Sequence, residues 1–182
     1  MISRSARFAA VALACALPLS ACGGPAEDDT AGAQAPLEVT TPTAPPQEEF
    51  KVEDVDNIVS EELTGERVDD PAMELSYKWQ GASSAPNGGS VLVVAVTNNS
   101  EVPMPADALA QPTLSYTTGG NNKENAAPLS AEASGVDIIG LDQPLRAGAT
   151  VNAKYAFDVT PGRLWDADFT IGNVTFSGNL NG

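Results

Sequence analysis

From Met73 onward the chain alternates. Met73, Leu75, Tyr77 and Trp79 are apolar, while Glu74, Ser76 and Lys78 between them are polar. A period of two puts one set on a buried face and the other in water, which predicts a half-buried β-strand. Val91-Leu-Val-Val-Ala-Val-Thr97 is apolar on both parities, as expected of a strand covered on both faces. Gly81-Ala-Ser-Ser-Ala-Pro-Asn-Gly-Gly89, between these two runs, reads as a loop from its turn-forming residues.

Further strands are predicted over Pro112–Thr118, weakly near Ala126–Ser130, and over Val136–Ile139. The clearest follows: Val151, Ala153, Tyr155, Phe157 and Val159 face one way, and Thr150, Asn152, Lys154 and Asp158 the other, until Pro161-Gly162 ends the run. In Phe169–Phe176 the parity changes midway, so either Gly172 marks a bulge or Gly172-Asn173 is a two-residue hairpin turn. About seven short strands with no convincing helix predict an all-β fold, an immunoglobulin-like antiparallel β-sandwich over residues 71–182. The Cys…Trp…Cys spacing of antibody domains is absent, so the likeness is one of architecture.

Upstream the period changes. Val55, Ile58, Val59 and Leu63 recur at helical spacing among acids. This predicts a short amphipathic helix over 53–63, either docked on the domain or a partner, or transient in a solvated segment. At the N-terminus, Arg4 and Arg7 precede the apolar run Phe8–Leu19, which is short of the roughly 20 residues a membrane-spanning helix needs. That is the pattern of an export signal over residues 1–21. It ends in Leu19-Ser20-Ala21-Cys22, a bacterial lipobox: Leu, two small residues, then the cysteine whose thiol takes diacylglycerol. Two acyl chains supply the stable anchoring that one cannot. The expected location is the outer face of the cytoplasmic membrane. Cys15 is the rival, but Ala12 stands where the lipobox has Leu.

Charge sharpens the division. Residues 23–70 hold 14 acids and 2 bases, with Pro25, Pro36, Pro42, Pro45 and Pro46 in their first half. Such a composition buries too little apolar surface to offset ordering entropy, so residues 22–70 are expected to form a lipidated acidic tether, disordered over 23–50, that as a flexible coil would reach on the order of 40 Å. Residues 71–182 hold 10 acids and 5 bases. A chain this acidic is not expected to bind nucleic acid. With Cys15 removed and Cys22 acylated, no disulfide can form.

The chain has no His, which removes the commonest general base and His-based zinc sites. Asp166-Ala-Asp168 is the one close carboxylate pair well inside the domain, either a solvated pair or a site for glycoside or calcium chemistry. No calcium loop or phosphate-binding Gly-x-x-x-x-Gly-Lys occurs, and no cofactor or resident metal is implied. Trp79 sits on the buried parity of its strand, whereas Trp165 lies between strands beside Arg163. Trp and Arg are favoured at interface hot spots, so Arg163 and Trp165 are the candidate partner-binding residues, with packing of the loop onto the core as the alternative for Trp165.

Two features carry a family resemblance: the apolar strand running into Asn-Asn-Ser (Val93-Val-Ala-Val-Thr-Asn-Asn-Ser-Glu-Val102), and Leu145-Arg-Ala-Gly148 followed by Val151-Asn-Ala-Lys-Tyr-Ala-Phe-Asp-Val159. Together they resemble the bacterial lipoproteins with an immunoglobulin-like domain of unknown function, related in fold to the actinobacterial secreted immunoprotective antigens. The resemblance covers roughly residues 73–176, and Ala147 departs from the Pro usual there. It implies a sandwich; it implies no catalytic residues. The expectation for function is therefore a membrane-anchored extracytoplasmic binding or assembly module for an envelope or secreted protein, and not an enzyme. The alternative is a lipoprotein that binds a small ligand or cation.

Overall fold

The computed structural model describes residues 49–120 and 122–181. Its strands are β1 (Ile58–Ser60), β2 (Val68–Asp69), β3 (Leu75–Ser84), β4 (Ser90–Asn98), β5 (Thr113–Gly119), β6 (Asn122–Asn125), β7 (Pro128–Leu129), β8 (Thr150–Phe157), β9 (Ala167–Ile171) and β10 (Val174–Gly178). One helical turn, α1 (Ala131–Ser134), and a 3-10 turn at Pro161–Arg163 complete the elements. The strands form two five-stranded sheets, β1-β10-β9-β5-β6 and β2-β3-β4-β8-β7. Taking β3, β4, β5, β7, β8, β9 and β10 as A to G, the sheets contain A-B-E-D and G-F-C, the immunoglobulin arrangement. β6 widens one sheet beside β5, and β1 and β2 are additions at the edges.

The alternating runs face the interior as expected. Leu75, Tyr77 and Trp79 from β3, Leu92, Val94 and Val96 from β4, and Ala153, Tyr155 and Phe157 from β8 are all buried. Opposite them lie Leu114, Phe169, Ile171, Val174 and Phe176. Phe169 is the hub between the sheets, with ring centroids 6.1 Å from Trp79, 5.9 Å from Tyr155 and 6.1 Å from Phe157. These tilted and edge-on pairings add to the area buried.

Several expectations are corrected. β3 does not stop at Gln80: a bulge between Trp79 and Gly81 restores register, so the loop predicted from Gly81 shrinks to Ala85–Gly89. Val136–Ile139 is no strand; Val136 and Ile139 instead pack over Val91 and Ala156 on the outer face of their sheet. The last element is a hairpin, since Ile171 pairs with Val174 across Gly172-Asn173. Gly172 alone has positive φ, at +54°, the pattern of a type II′ turn.

The largest correction concerns 53–63, which is not helical. Residues 51–57 have no regular structure, and Ile58–Ser60 is a strand parallel to β10. Backbone groups that a short helix would satisfy internally find partners on the domain. The Glu53 N–H donates to the Ala72 carbonyl at 2.8 Å, and the Ile58 N–H to that of Asn173 at 2.9 Å. The Asn173 side-chain amide donates to the Val55 carbonyl at 2.8 Å. A lone helix this short bears the full nucleation cost, while the docked strap does not. Phe50, Leu63 and Val68 pack against the core, so the folded domain begins near Phe50 rather than at 71. The signal peptide and the tether expectation for residues 22–48 lie outside the described residues.

The Asn-Asn-Ser run forms a corner. Asn98 is buried, and its amide donates to the carbonyls of Val102 (2.8 Å) and Leu145 (3.0 Å). Its Oδ1 accepts from the Ser100 N–H at 3.0 Å and from the Ser100 hydroxyl at 2.7 Å. A buried amide so satisfied fixes how β4 leaves the sheet.

Candidate functional site

Arg163 and Trp165 lie where β8 crosses to β9. The Arg163 N–H donates to the Thr160 carbonyl at 3.0 Å and the Leu164 N–H to that of Pro161 at 2.8 Å, closing the 3-10 turn that Pro161 begins. Leu164 is fully buried, and its carbonyl accepts from the Leu180 N–H at 2.8 Å. With Leu164 held inward, its two neighbours project outward. Trp165 is 56% exposed, so the core-packing alternative is not what forms. The Arg163 guanidinium lies over the Tyr116 ring, 5.5 Å from its centroid, a cation–π contact that positions it without neutralising it. Among the described residues, the ion pairs are those of Lys123, so Arg163 faces no carboxylate.

Asp166 and Asp168 follow directly, and the structure brings them together with Lys123. The Lys123 Nζ donates to Asp168 Oδ2 at 2.6 Å and lies 3.6 Å from Asp166 Oδ1. The other oxygen of Asp166 accepts from the Thr117 hydroxyl at 2.6 Å, and that of Asp168 from the Ser177 hydroxyl at 2.6 Å. Burial alone would raise the Asp168 pKa, but the hydrogen bonds from Lys123 and Ser177 outweigh it and lower the value. The hydrogen bond to Asp168 correspondingly raises the pKa of Lys123. A carboxylate held ionised beside an ammonium is a poor proton donor. The pair ties the β5–β6 hairpin to β9 and β10.

At the opposite end of the sandwich stands a buried clasp that the sequence did not single out. Asp70 is only 7% exposed. Its Oδ1 accepts from the N–H groups of Ala72 (2.8 Å) and Met73 (3.2 Å). Oδ2 accepts from the Tyr77 hydroxyl at 2.8 Å and the Asn173 N–H at 3.0 Å. One carboxylate therefore joins the sheet of β2 and β3 to the β9–β10 turn of the other sheet. Gly172 packs so tightly here that a β-carbon would overlap Asp70 Oδ2 and the Tyr77 hydroxyl, and would come within 2.9 Å of the Met73 methyl. The available hints were the acid beside Pro71 and a glycine at a parity change. Neither reveals a pairing a hundred residues apart.

Beside the clasp opens a cleft of about 620 Å³, lined among others by Lys51, Glu53, Arg67, Asp69, Met73 and Glu74. Its volume falls in the range of small-molecule sites. Among the described residues no three His, Cys, Asp or Glu side chains converge to hold a metal ion, and no helix is long and apolar enough to cross a membrane. Cys22, Leu19, Ser20 and Ala21 lie outside the described residues. Compared with known proteins, the chain matches no family, no curated protein and no solved structure.

Proposed function

We propose that this chain is an exported lipoprotein, held by diacylglycerol on Cys22 at the outer face of the cytoplasmic membrane. Its immunoglobulin-like domain binds or assembles with a second envelope or secreted protein through the end that carries Arg163 and Trp165. One observation carries this reading: the chain joins the sandwich at one end, while its exposed Trp and unpaired Arg sit at the other. The strap touches the domain at Ala72 and Asn173, at the β9–β10 turn. Arg163 and Trp165 lie beyond the far ends of these strands, beside the β8–β9 crossing. A ten-residue strand such as β3 spans roughly 33 Å, so an anchored domain holds that surface away from its point of attachment. The Leu19–Cys22 lipobox and the Asn98–Ser100 corner support the resemblance to the immunoglobulin-like lipoproteins. A binding role rather than an enzymatic one is favoured by the engagement of Asp166 and Asp168 with Lys123.

Two measurements test it. Cys22→Ser should move the protein from the detergent phase to the aqueous phase in a detergent-partition assay, and unchanged partition would remove the anchor. A photo-crosslinker at position 165 should label one recurrent partner, and Arg163→Ala should abolish the adduct. Labelling that never exceeds that of a probe on the exposed β6 edge at Glu124 would remove the recognition surface. A second reading, small-ligand binding, is favoured only by the 620 Å³ cleft; flat calorimetric titrations with charged metabolites would dismiss it.

A further inference from the structure

Six large apolar side chains are exposed among the described residues, and four of them, Val52, Val55, Ile58 and Val59, lie within eight residues of the strap. Val55, Ile58 and Val59 are among the residues whose spacing predicts a helix. In the structure they neither form one nor bury themselves: Val59 is 71% exposed and Val52 57%. The strap runs along the margin of the sandwich, and β1 is the edge strand of its sheet. Because the Ile58 N–H donates to Asn173, the turn residue that leads into β10, and backbone groups alternate sides along a strand, the N–H and carbonyl of Val59 point to the open side.

Exposed edges normally carry a guard against further pairing. The other edges here have one. β7 has two residues and includes Pro128; β2 has two residues; β6 carries Lys123 and Glu124. β3, which β2 covers only at Ser76 and Tyr77, is bulged at Gln80. β1 has no proline, bulge or lysine, and two of its three side chains, Ile58 and Val59, are apolar. What surrounds it is acid: Glu53, Asp54, Asp56, Glu61 and Glu62, against the single base Lys51. A second copy of this chain would set acid against acid, so self-pairing is opposed. The complementary occupant is basic and apolar in alternation.

We propose that β1 is a docking edge for an extended segment of a partner protein in which Lys or Arg alternates with aliphatic residues. The segment adds as a strand beside Ile58–Ser60. Ladder bonds at Val59 supply register, contact with Val55, Ile58 and Val59 supplies burial, and the flanking acids select the basic sequence. This surface is separate from the Arg163–Trp165 end, and its test does not depend on that assignment.

The test uses the full-length chain and three labelled peptides: four Val-Lys repeats, four Val-Glu repeats, and four Pro-Lys repeats. The last keeps the charge but has half the backbone donors and cannot form a ladder. By fluorescence anisotropy, the Val-Lys peptide should bind about tenfold tighter than the Pro-Lys peptide, and the Val-Glu peptide should not bind measurably. In hydrogen exchange, the Val59 amide should slow when the Val-Lys peptide is present. Val59→Pro removes the open-side donor without touching the Ile58 bond to β10, and should abolish the preference for Val-Lys over Pro-Lys. Val59→Lys, which keeps the donor and places like charge at the edge, should weaken Val-Lys binding about fivefold with the melting temperature unchanged. Equal binding of the Val-Lys and Pro-Lys peptides would mean attraction to the acidic segment alone and would overturn the proposal. So would an unprotected Val59 amide, or a preference that survives both substitutions.

Discussion

Gly172→Ala should be among the most damaging small substitutions in the domain, and the reason can be worked through atom by atom. The residue has φ of +54°, a conformation that costs an alanine about 1–2 kcal/mol. The new methyl would also overlap Asp70 Oδ2 and the Tyr77 hydroxyl. Relieving that overlap displaces at least one donor of the buried carboxylate, and a hydrogen bond to a charged group is worth about 1.5–3 kcal/mol. The two effects together predict a loss of about 3–5 kcal/mol, measured by urea unfolding at neutral pH. Tyr77→Phe removes the hydroxyl but leaves Asp70 three backbone donors, and should cost about 1.5–3 kcal/mol alone. In the double variant the methyl meets one obstacle fewer and the bond it would have broken is already gone. The combined cost should fall short of the sum by about 1–2 kcal/mol. A Gly172→Ala cost below about 1 kcal/mol would refute the clasp as described, and so would additivity within about 0.5 kcal/mol.

Three further outcomes follow from the same geometry. Burial pushes the Tyr155 phenol up to about 12, and burial, followed by the charge of Asp70, raises that of Tyr77. Both phenols keep in the folded state a proton that the unfolded chain releases near pH 10. Stability should therefore hold below that pH and fall above it, by up to about 1.4 kcal/mol per pH unit for each tyrosine; Tyr155→Phe should flatten the decline between about pH 10 and 12 in alkaline unfolding curves. Phe169→Ala, at the hub of the aromatic cluster, should cost about 3–5 kcal/mol by denaturant titration. Asn98→Ala removes one donor each from the Val102 and Leu145 carbonyls, which keep the Ser100 hydroxyl and the Met104 N–H, and should lower stability by about 1–3 kcal/mol, seen as an earlier midpoint with an unchanged slope.

Where burial follows local alternation, the strands could be read directly. Leu75, Tyr77 and Trp79 in β3, and Ala153, Tyr155 and Phe157 in β8, occupy the parity that their sequence predicts, because one residue in two must meet the core. The helix predicted over 53–63 does not form for a related reason. Its apolar spacing is real, but periodicity says nothing about whether the edge of β10 stands open to receive an extended chain. The same holds for Val136–Ile139, whose apolar residues cover a sheet instead of joining it. At the far end of the sandwich, the nearness of Trp165 to Arg163 is legible in the sequence. Its exposure depended on Leu164 being drawn inward, a matter of packing. The Asp70 clasp was invisible because its partners Tyr77 and Asn173 converge only after both sheets are in place.

The parallel course of β1 along β10 also has a mechanical meaning. Suppose the chain is held by its N-terminus at a membrane and by a partner at the Arg163–Trp165 end. Tension then runs along the strand axis and loads the bonds at Glu53, Val55 and Ile58 together, in shear. An antiparallel strand in the same place would have its N-terminus at the other end, and a pull from the membrane would peel it away one bond at a time. Sharing the load makes the strap resist and then yield as a unit, and the force it bears passes through Ala72 and Asn173 into the clasp, whose Asp70 accepts from both.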